Sequence, residues 1–329
     1  MELRQLRAFV AVATEGHFGR AAARLSLTQP GLTLRIQALE KELGAQLLER
    51  SAREVHLTAA GTLLLPHAKS LLRIEDRALR ELRDQAAGVA GRLRIAYVAY
   101  GAVAFPAEVI AEFRRRQPNV QVETRVGNSA LNLEHLLRGS VDAAFIYPGY
   151  VGGPEAIPNS VAVRLLSRDA VLVAISSKHP LARLEEIPLR ALRGEPLVMF
   201  PTSPGPSATA GFIRMLTRHM GTQPTIAAYE PPDQALEAVA HSTSLISFAN
   251  GSRAASAPVP GIAYRPTSPG LFLDFGVAYF RNDESTTLAE LRRLIDELAP
   301  DEPGDAPEGS EVVTADDAVG HPTAFSAER

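Results

Sequence analysis

The chain has 329 residues, of which 46% are hydrophobic and 22% charged, and it contains no cysteine. This length predicts two or three compact domains, and the missing cysteines exclude disulfides, thiolate metal sites and thiol redox switches. The formal net charge is -3, but residues 301–329 alone contribute eight acidic side chains against one arginine, or -7. The remainder therefore carries +4, and an anionic partner such as DNA is not excluded.

The N-terminal residues MELRQLRAFVAVATEGHF interrupt their apolar positions with charged side chains every few residues. This pattern provides neither the apolar core of a secretory signal nor a membrane span. We therefore expect a cytoplasmic protein that does not insert into membranes.

Three helical patterns follow one another at the start of the chain, because apolar residues recur at steps of three or four. The stripes are Leu3, Leu6, Phe9, Val10, Ala13; then Phe18, Ala21, Ala22, Leu25; then Leu32, Ile36, Leu39, Leu43. Only the tripeptide SLT separates the second helix from the third, which is typical of a helix-turn-helix, here at about residues 18–37. Thr28 and Pro30 suit the start of the third helix, and Gly44 suits its end.

A small β-wing and a long helix are predicted next. The segment LLERSAREVHLT combines two short apolar runs with a polar tip, which favours a two-stranded wing and completes a domain over residues 1–58. From residue 59 to about 90 a heptad stripe predicts a linker helix that dimerises the protein, although packing within the chain gives the same pattern. We expect Pro66 to bend this helix or to end its first segment. The stripe consists of Leu65, Ala68, Leu72, Glu75, Leu79, Leu82 and Ala86.

Residues 91–300 alternate between predicted strands and helices, which indicates an α/β domain with parallel strands. The expected strands are 93–99, 120–126, 142–147, 170–176, 196–200, 225–229, 244–249 and 271–280. The last expected helix is 286–298. We interpret the order as two similar lobes, lobe I at about 91–163 and 267–300 and lobe II at about 164–266. Residues 301–329 are acidic, lack an apolar period and are predicted to form a disordered tail.

Residues 17–61, HFGRAAARLSLTQPGLTLRIQALEKELGAQLLERSAREVHLTAAG, resemble the DNA-binding domain of LysR-type transcriptional regulators. The resemblance includes the AAxxLxxxQPxL core and the later LTxAG, and the HFGRAA start is most similar to the aromatic-catabolism branch. Residues 91–300 are similar to the family's effector domain in element order and in the LVMFPTSPGPS loop. The resemblance implies an N-terminal winged helix-turn-helix, a two-lobed, periplasmic-binding-protein-like effector domain, and a homodimer or homotetramer that binds double-stranded DNA.

The third helix then becomes the recognition helix, whose first turns face base edges in the major groove. Gln29, Thr33 and Arg35 are the predicted readers, with Thr28 at the start of the helix and Pro30 in apolar contact. Where many relatives have Ser-Arg, this chain has Thr33-Leu34. Contacts to phosphates or to the minor groove are expected from Arg20, Arg24 and the wing-tip residue Arg53, unless these arginines are merely solvated surface.

Three segments are expected to line a cleft between the two lobes, where a small effector binds. Helix N-termini and neutral hydroxyl donors favour an organic or aromatic carboxylate. An alternative role for Asn128 or Ser129 is that of a simple helix cap, and for Thr202 and Ser203 that of ordinary turn residues. The predicted effector residues are Tyr100, Gly101, Ala102, Asn128, Ser129, Phe200, Pro201, Thr202 and Ser203.

Two rival functions lack support in the sequence. An enzyme needs a nucleophile with its base, a metal cluster or a phosphate loop, and the chain has no GxSxG, no Walker sequence and no GxGxxG after a strand. We therefore expect no catalytic residues, no metal and no cofactor. A transport protein that binds solutes shares the two-lobed fold, but it has no use for the first ninety residues.

Overall fold

The computed structural model describes residues 1–50, 55–86, 91–98, 104–151, 157–200, 207–299, 301 and 303–313. The chain forms two compact units, Met1–Gly88 and Val89–Arg329. Within the described parts of the chain, no helix is both long enough and apolar enough to cross a membrane.

The first unit is a winged helix-turn-helix followed by one long helix. Its elements are α1 (Leu3–Glu15), α2 (Phe18–Arg24), α3 (Gln29–Leu43), β1 (Leu48–Arg50), β2 (Val55–Leu57) and α4 (Ala59–Ala86). The three predicted helices and the antiparallel pair of wing strands are confirmed. The predicted stripes meet in one core that includes Leu6, Phe9, Leu32, Ile36 and Leu39.

Local hydrogen bonds explain the bounds of these elements. The Thr28 hydroxyl accepts from the Gly31 amide at 3.3 Å, with Pro30 in the first turn, and α3 ends at Gly44 in the left-handed conformation. The Glu40 carboxylate of α3 accepts from the amides of Leu47 and Leu48, which ties the wing to α3. At Gly61, an added Cβ would lie 2.1 Å from the Leu47 carbonyl oxygen, so the LTxAG motif requires glycine here.

Pro66 lies inside α4, which continues without interruption to Ala86. The expectation that Pro66 ends a first helical segment was therefore wrong. A proline removes only one intrahelical donor, and Ala68 beside it is fully buried against the core, so tertiary packing keeps the helix continuous.

The second unit is a mixed sheet of ten strands flanked by helices. Its strands are β3 (Arg92–Val98), β4 (Gln121–Gly127), β5 (Ala143–Ile146), β6 (Val161–Ser176), β7 (Ile187–Pro188), β8 (Pro196–Met199), β9 (Thr225–Tyr229), β10 (Ile246–Asn250), β11 (Ile262–Phe280) and β12 (Glu311–Val312). Its helices are α5 (Ala104–Arg116), α6 (Ser129–Leu137), α7 (Ser207–Met220), α8 (Pro232–Ala240), α9 (Gly251–Ser256) and α10 (Thr286–Leu298). The main strand order is β4-β3-β5-β11-β6-β10-β8-β9.

Two long antiparallel strands, β6 and β11, run through both lobes. In lobe I they join the parallel strands β3, β4 and β5, and in lobe II they join β8, β9 and β10. The sequence predicted only the second halves of these strands, starting at 170 and 271. The first halves contain charged residues and a Ser-Pro-Gly sequence, which are typical of loops and hide their strand character.

The C-terminal segment, residues 303–313, was predicted to be disordered, and this prediction was wrong. The segment folds back so that β12 pairs in parallel with β11 at Leu271 and Phe272. The Val313 amide donates to the Phe272 carbonyl at 2.8 Å, and the Val313 side chain joins the main core. The acidic composition had predicted disorder. However, Val312 and Val313 provide apolar side chains, and the edge of β11 provides unpaired backbone groups for a further strand.

Candidate DNA interface and effector site

The N-terminal end of α3 presents an exposed surface. Thr28, Gln29 and Pro30 are exposed, whereas Thr33 and Arg35 are half-buried. Because one residue turns a helix by about 100°, Thr33 and Arg35 lie on opposite flanks of α3. Between them, Leu34 is 66% exposed, and it was not among the residues predicted to read bases. Its place opposite the buried stripe of Leu32, Ile36 and Leu39 was readable from the helical period.

Arg20 and Arg24 lie on α2, with their side chains exposed beside the end of α1. Arg24 donates to the Glu15 carboxylate at 2.9 Å, and Arg20 donates to the Glu15 backbone carbonyl. Such exposed pairs contribute little to stability and exchange readily for other anions. This pairing within the chain is consistent with the alternative that Arg20 and Arg24 are solvated surface residues. Both guanidinium groups remain accessible to solvent.

One face of α4 packs against its own unit. Arg7 of α1 donates to Glu75 at 2.9 Å and to Asp76 at 2.8 Å, and the hydrogen bond to Asp76 raises the pKa of Arg7. Leu65, Ala68 and Leu72 belong to the same core as α1. The first part of the predicted heptad stripe is therefore an intrachain packing face, and its charged break at Glu75 is an ion-pair partner of α1.

Other apolar side chains of α4 are between 39% and 70% exposed, and together they form its exposed stripe. Leu79 and Leu82 belong to the second half of the predicted heptad stripe, and Leu63, Leu71 and Ile74 lie further around the helix. Burying such a stripe against a second copy is the usual way in which a long helix of this kind is stabilised.

In the second unit, strands of the two lobes end facing each other. Ile146 at the end of β5 pairs with Gly276 of β11, and Asn250 at the end of β10 pairs with Val171 of β6. Both strands thus point their carboxyl ends at the crossing of β6 and β11, near residues 167–171 and 271–275. Ligands of open α/β sheets bind outside the carboxyl ends of strands, so this junction is the candidate effector site.

Asn128 and Ser129 lie at the start of α6, beside this junction. The Asn128 side chain accepts from the Leu131 amide at 2.8 Å, so its role as a helix cap is confirmed. Ser129 is only 3% exposed, and its hydroxyl oxygen accepts from the Tyr147 amide at 3.0 Å. The hydroxyl proton of Ser129 is not used in that bond, so Ser129 keeps one donor.

The buried carboxylate of Asp169 joins the two lobes at the same place, and no local pattern in the sequence predicted it. The Tyr147 hydroxyl donates to the Asp169 carboxylate at 3.1 Å, and the second oxygen of Asp169 accepts from the Ser252 amide at 2.8 Å. These two bonds compensate the negative charge of a residue that is almost fully buried. Asn250 lies two residues before Ser252. Its side-chain amide nitrogen is buried and has no hydrogen-bond partner among the described residues.

Several predicted site residues lie outside the described residues. On the DNA side this applies to Arg53. On the effector side Phe200 is described, and it is half-buried at the end of β8. The others that lie outside the described residues are Tyr100, Gly101, Ala102, Pro201, Thr202 and Ser203.

A winged helix-turn-helix followed by a long helix and a two-lobed α/β domain defines a DNA-binding regulator with a ligand-binding domain. The family model described as bacterial regulatory helix-turn-helix protein, lysR family, matches residues 3–62, and the LysR substrate binding domain matches residues 86–300. The chain therefore belongs to the LysR family of transcription regulators, a family that is not enzymatic.

Individual relatives agree with this assignment. The chain is 33% identical over 226 residues to the HTH-type transcriptional regulator AlsR of Bacillus subtilis (strain 168), which covers 69% of this chain and 72% of AlsR. It is 33% identical over 315 residues to IlvR of Caulobacter vibrioides, which covers 92% of this chain and 100% of IlvR. The crystal structure of full-length BenM is similar with a TM-score of 0.55 and 28% identity, and covers 93% of this chain and 100% of that one.

Proposed function

We propose that the protein is a cytoplasmic regulator that binds operator DNA through α3 and the wing, and that a small organic acid bound between the lobes modulates this binding. The observation that carries the DNA-binding role is the exposed N-terminal end of α3, held by the Thr28 cap and by the Glu40 bonds to the wing. A rigid helix with an exposed N-terminal end is what major-groove recognition needs.

The proposed base readers are Gln29, Thr33 and Arg35, with Thr28 and Pro30 at the helix start. Arg20, Arg24 and Arg53 are the proposed phosphate or minor-groove contacts. Arg20 and Arg24 support this role through their exposure on α2, where the Glu15 carboxylate is their present anionic partner. On DNA, a phosphate takes the place of that carboxylate.

The full-length chain is tested by fluorescence anisotropy against the DNA upstream of its own gene. Gln29→Ala is expected to weaken binding by about 1–3 kcal/mol, and Arg53→Ala to weaken it while lowering the salt slope by about one. The matched control is Gln37→Ala, which removes the same side chain about two turns further along α3. If Gln29→Ala binds like the parent, or if both glutamine variants lose affinity equally, α3 does not enter the groove by its N-terminal end.

The proposed effector is a small organic or aromatic carboxylate. Support comes from the spare hydroxyl proton of Ser129 at the start of α6 and from the buried amide nitrogen of Asn250 at the end of β10, which has no hydrogen-bond partner among the described residues. Neutral donors at a helix N-terminus favour a carboxylate without a salt bridge. Tyr100, Gly101 and Ala102 after β3, Asn128 before α6, and Phe200, Pro201, Thr202 and Ser203 after β8 complete the proposed site.

We further propose that two chains dimerise through the exposed stripe of α4, as a homodimer or as part of a homotetramer. Leu63, Leu71, Ile74, Leu79 and Leu82 offer large apolar side chains to a partner. Each such side chain contributes roughly 1.5–3 kcal/mol when it is fully buried.

A further inference from the structure

The C-terminal segment, residues 303–313, contacts both lobes of the second unit. At the lobe II end, the Glu311 carboxylate accepts from Arg218 at 3.2 Å and lies 2.6 Å from the His219 ring nitrogen, both in the last turn of α7. At the lobe I end, Val313 is 4% exposed and packs beside Gly149, which follows β5. Glu311 and Val312 themselves pair with Leu271 and Phe272 of β11, so these contacts to the two lobes come from three consecutive residues.

Gly149 leaves room for the backbone of this segment, where a larger residue would collide with it. A Cβ added at Gly149 would lie 2.3 Å from the Val313 carbonyl oxygen, which is a backbone atom that cannot rotate away. The backbone of Gly149 does not adopt positive φ, so nothing else in its conformation requires glycine. The close approach of the C-terminal segment is therefore the reason for glycine at this position.

The segment is also fixed at the crossing strands themselves. Arg168 of β6 forms a bidentate ion pair with the Asp274 carboxylate of β11. Two guanidinium nitrogens donate to the two carboxylate oxygens at 2.7 and 3.2 Å. That hydrogen-bonded carboxylate raises the pKa of Arg168, so the guanidinium stays charged. Its remaining nitrogen donates to the Gly304 carbonyl at 2.7 Å, and the segment is thus bonded to both crossing strands.

Little of the segment is buried, which makes it releasable. Among the described residues 303–313, Val313 alone is buried. The match to the LysR substrate binding domain ends at residue 300, so the sheet and α10 form a complete domain without it. Elements with few buried apolar contacts open at low cost in free energy.

We propose that the edge of β11 at Leu271 and Phe272 is a strand-addition site for the chain's own C-terminal segment, and that the docked segment restrains movement between the lobes. A change of the angle between the lobes alters the twist of β6 and β11 at their crossing. One of the two contacts, that of Glu311 with lobe II or that of Val313 with lobe I, then has to break. The docked segment therefore increases the free energy that a ligand must supply to move the lobes.

The test compares two single substitutions of the same type in the full-length chain. Gly149→Ala is expected to displace Val313, to lower the Tm of the second unit by about 2–8 °C and to speed amide exchange at residues 271–275 by about tenfold or more. Gly304→Ala is the matched control, because a Cβ there meets no described atom within 4 Å and the carbonyl that binds Arg168 is kept. If Gly149→Ala and Gly304→Ala behave alike, the proposal is overturned.

Truncation after residue 302 completes a double-mutant cycle, in which Gly149→Ala is measured both with and without the C-terminal segment. In the truncated chain Gly149→Ala is expected to have no effect, and a synthetic peptide of residues 303–313 is expected to slow exchange at 271–275 again. A truncated chain that no longer melts cooperatively would make the segment an integral strand rather than a releasable one, and it would also overturn the proposal. None of these measurements needs DNA or an effector, so they fail or succeed independently of the proposed function.

Discussion

Leu34 stands at the centre of the exposed face of α3. Leu32, Ile36 and Leu39 are buried, and the residues on the opposite side of the helix are Pro30, Leu34 and Gln37. If α3 enters the major groove as proposed, we expect Leu34 to face the base edges. An apolar side chain there is suited to contact a thymine methyl group, whereas an arginine pairs with guanine.

Leu34→Ala is therefore expected to reduce discrimination at one base pair of the operator. For the parent chain, replacing the contacted thymine costs about 1–3 kcal/mol, and for the variant most of that difference disappears. Binding to a panel of operators with single substitutions measures it. Leu43→Ala is the control, because Leu43 is also exposed but lies at the far end of α3. If Leu34→Ala leaves the relative affinities for all operators of the panel unchanged, Leu34 does not contact a base.

Ser129 has a structural role beside its proposed effector role. Its hydroxyl oxygen is the partner of the buried Tyr147 amide, and a buried donor without a partner costs about 1–3 kcal/mol. We expect Ser129→Ala to lower the Tm of the second unit by roughly 2–10 °C without any ligand. Scanning calorimetry checks this, with Ser256→Ala at the exposed end of α9 as the control. Equal Tm values for Ser129→Ala and the parent would contradict it.

Residue roles were predictable where they depend on neighbours in the sequence. The Thr28 cap, the Gly44 cap and the Asn128 cap follow from short-range rules and are confirmed. The Ser129 bond to Tyr147 joins residues 18 positions apart, and the Tyr147 bond to Asp169 joins residues 22 apart. Such contacts depend on how β5, α6 and β6 pack, which no local pattern contains.

At the scale of elements, α4 shows that one predicted stripe can meet two environments. Its first half, with Leu65, Ala68 and Leu72, packs against the core that contains α1. Its second half leaves Leu79 and Leu82 exposed, so the dimer contact proposed for this stripe stays a prediction. A period in the sequence fixes which residues share a face, and it does not fix which partner covers that face.

Leu71→Glu together with Ile74→Glu is expected to convert dimers into monomers, because both side chains are exposed in the single chain and each change adds charge to the apolar stripe. Sedimentation velocity measures the change. Leu72→Ala, on the adjacent packed face, is the contrasting variant: it is expected to destabilise the first unit while leaving the dimer in place. Dimers that persist in the double glutamate variant would place the interface elsewhere.

Helices were predicted more closely than the strands that cross the molecule. The helix α10 was expected at residues 286–298 and spans Thr286–Leu298, because its amphipathic period is complete within one segment. The strands β6 and β11 were each recognised over only part of their length, since polar residues interrupt their first halves. β12 was missed because two residues carry too little pattern, and only the open edge of β11 makes them a strand.

At the scale of the whole second unit, the junction of the lobes brings together groups from distant parts of the chain. Ser129 comes from lobe I, Asn250 from lobe II, and Asp169 from a crossing strand bonded to both. The Asp169 charge is compensated by two donors, so it does not by itself exclude an anionic ligand. A ligand that bridges Ser129 and Asn250 binds one angle between the lobes better than others, which is the physical requirement for a regulatory effect.

We expect benzoate-like acids or dicarboxylic acids to raise the Tm of the second unit in the full-length protein. A ligand at a hundred times its dissociation constant adds about 2.7 kcal/mol, which is roughly 5–11 °C for a unit of this size. Thr202→Val keeps the shape of the side chain and removes its hydroxyl, so it is expected to cut the shift while operator binding without ligand is retained. Thr225→Val, at an exposed position of β9, is the matched control and should respond like the parent. The carboxylate assignment is wrong if amines or sugars shift the Tm and acids do not, or if the Thr202 and Thr225 variants respond equally.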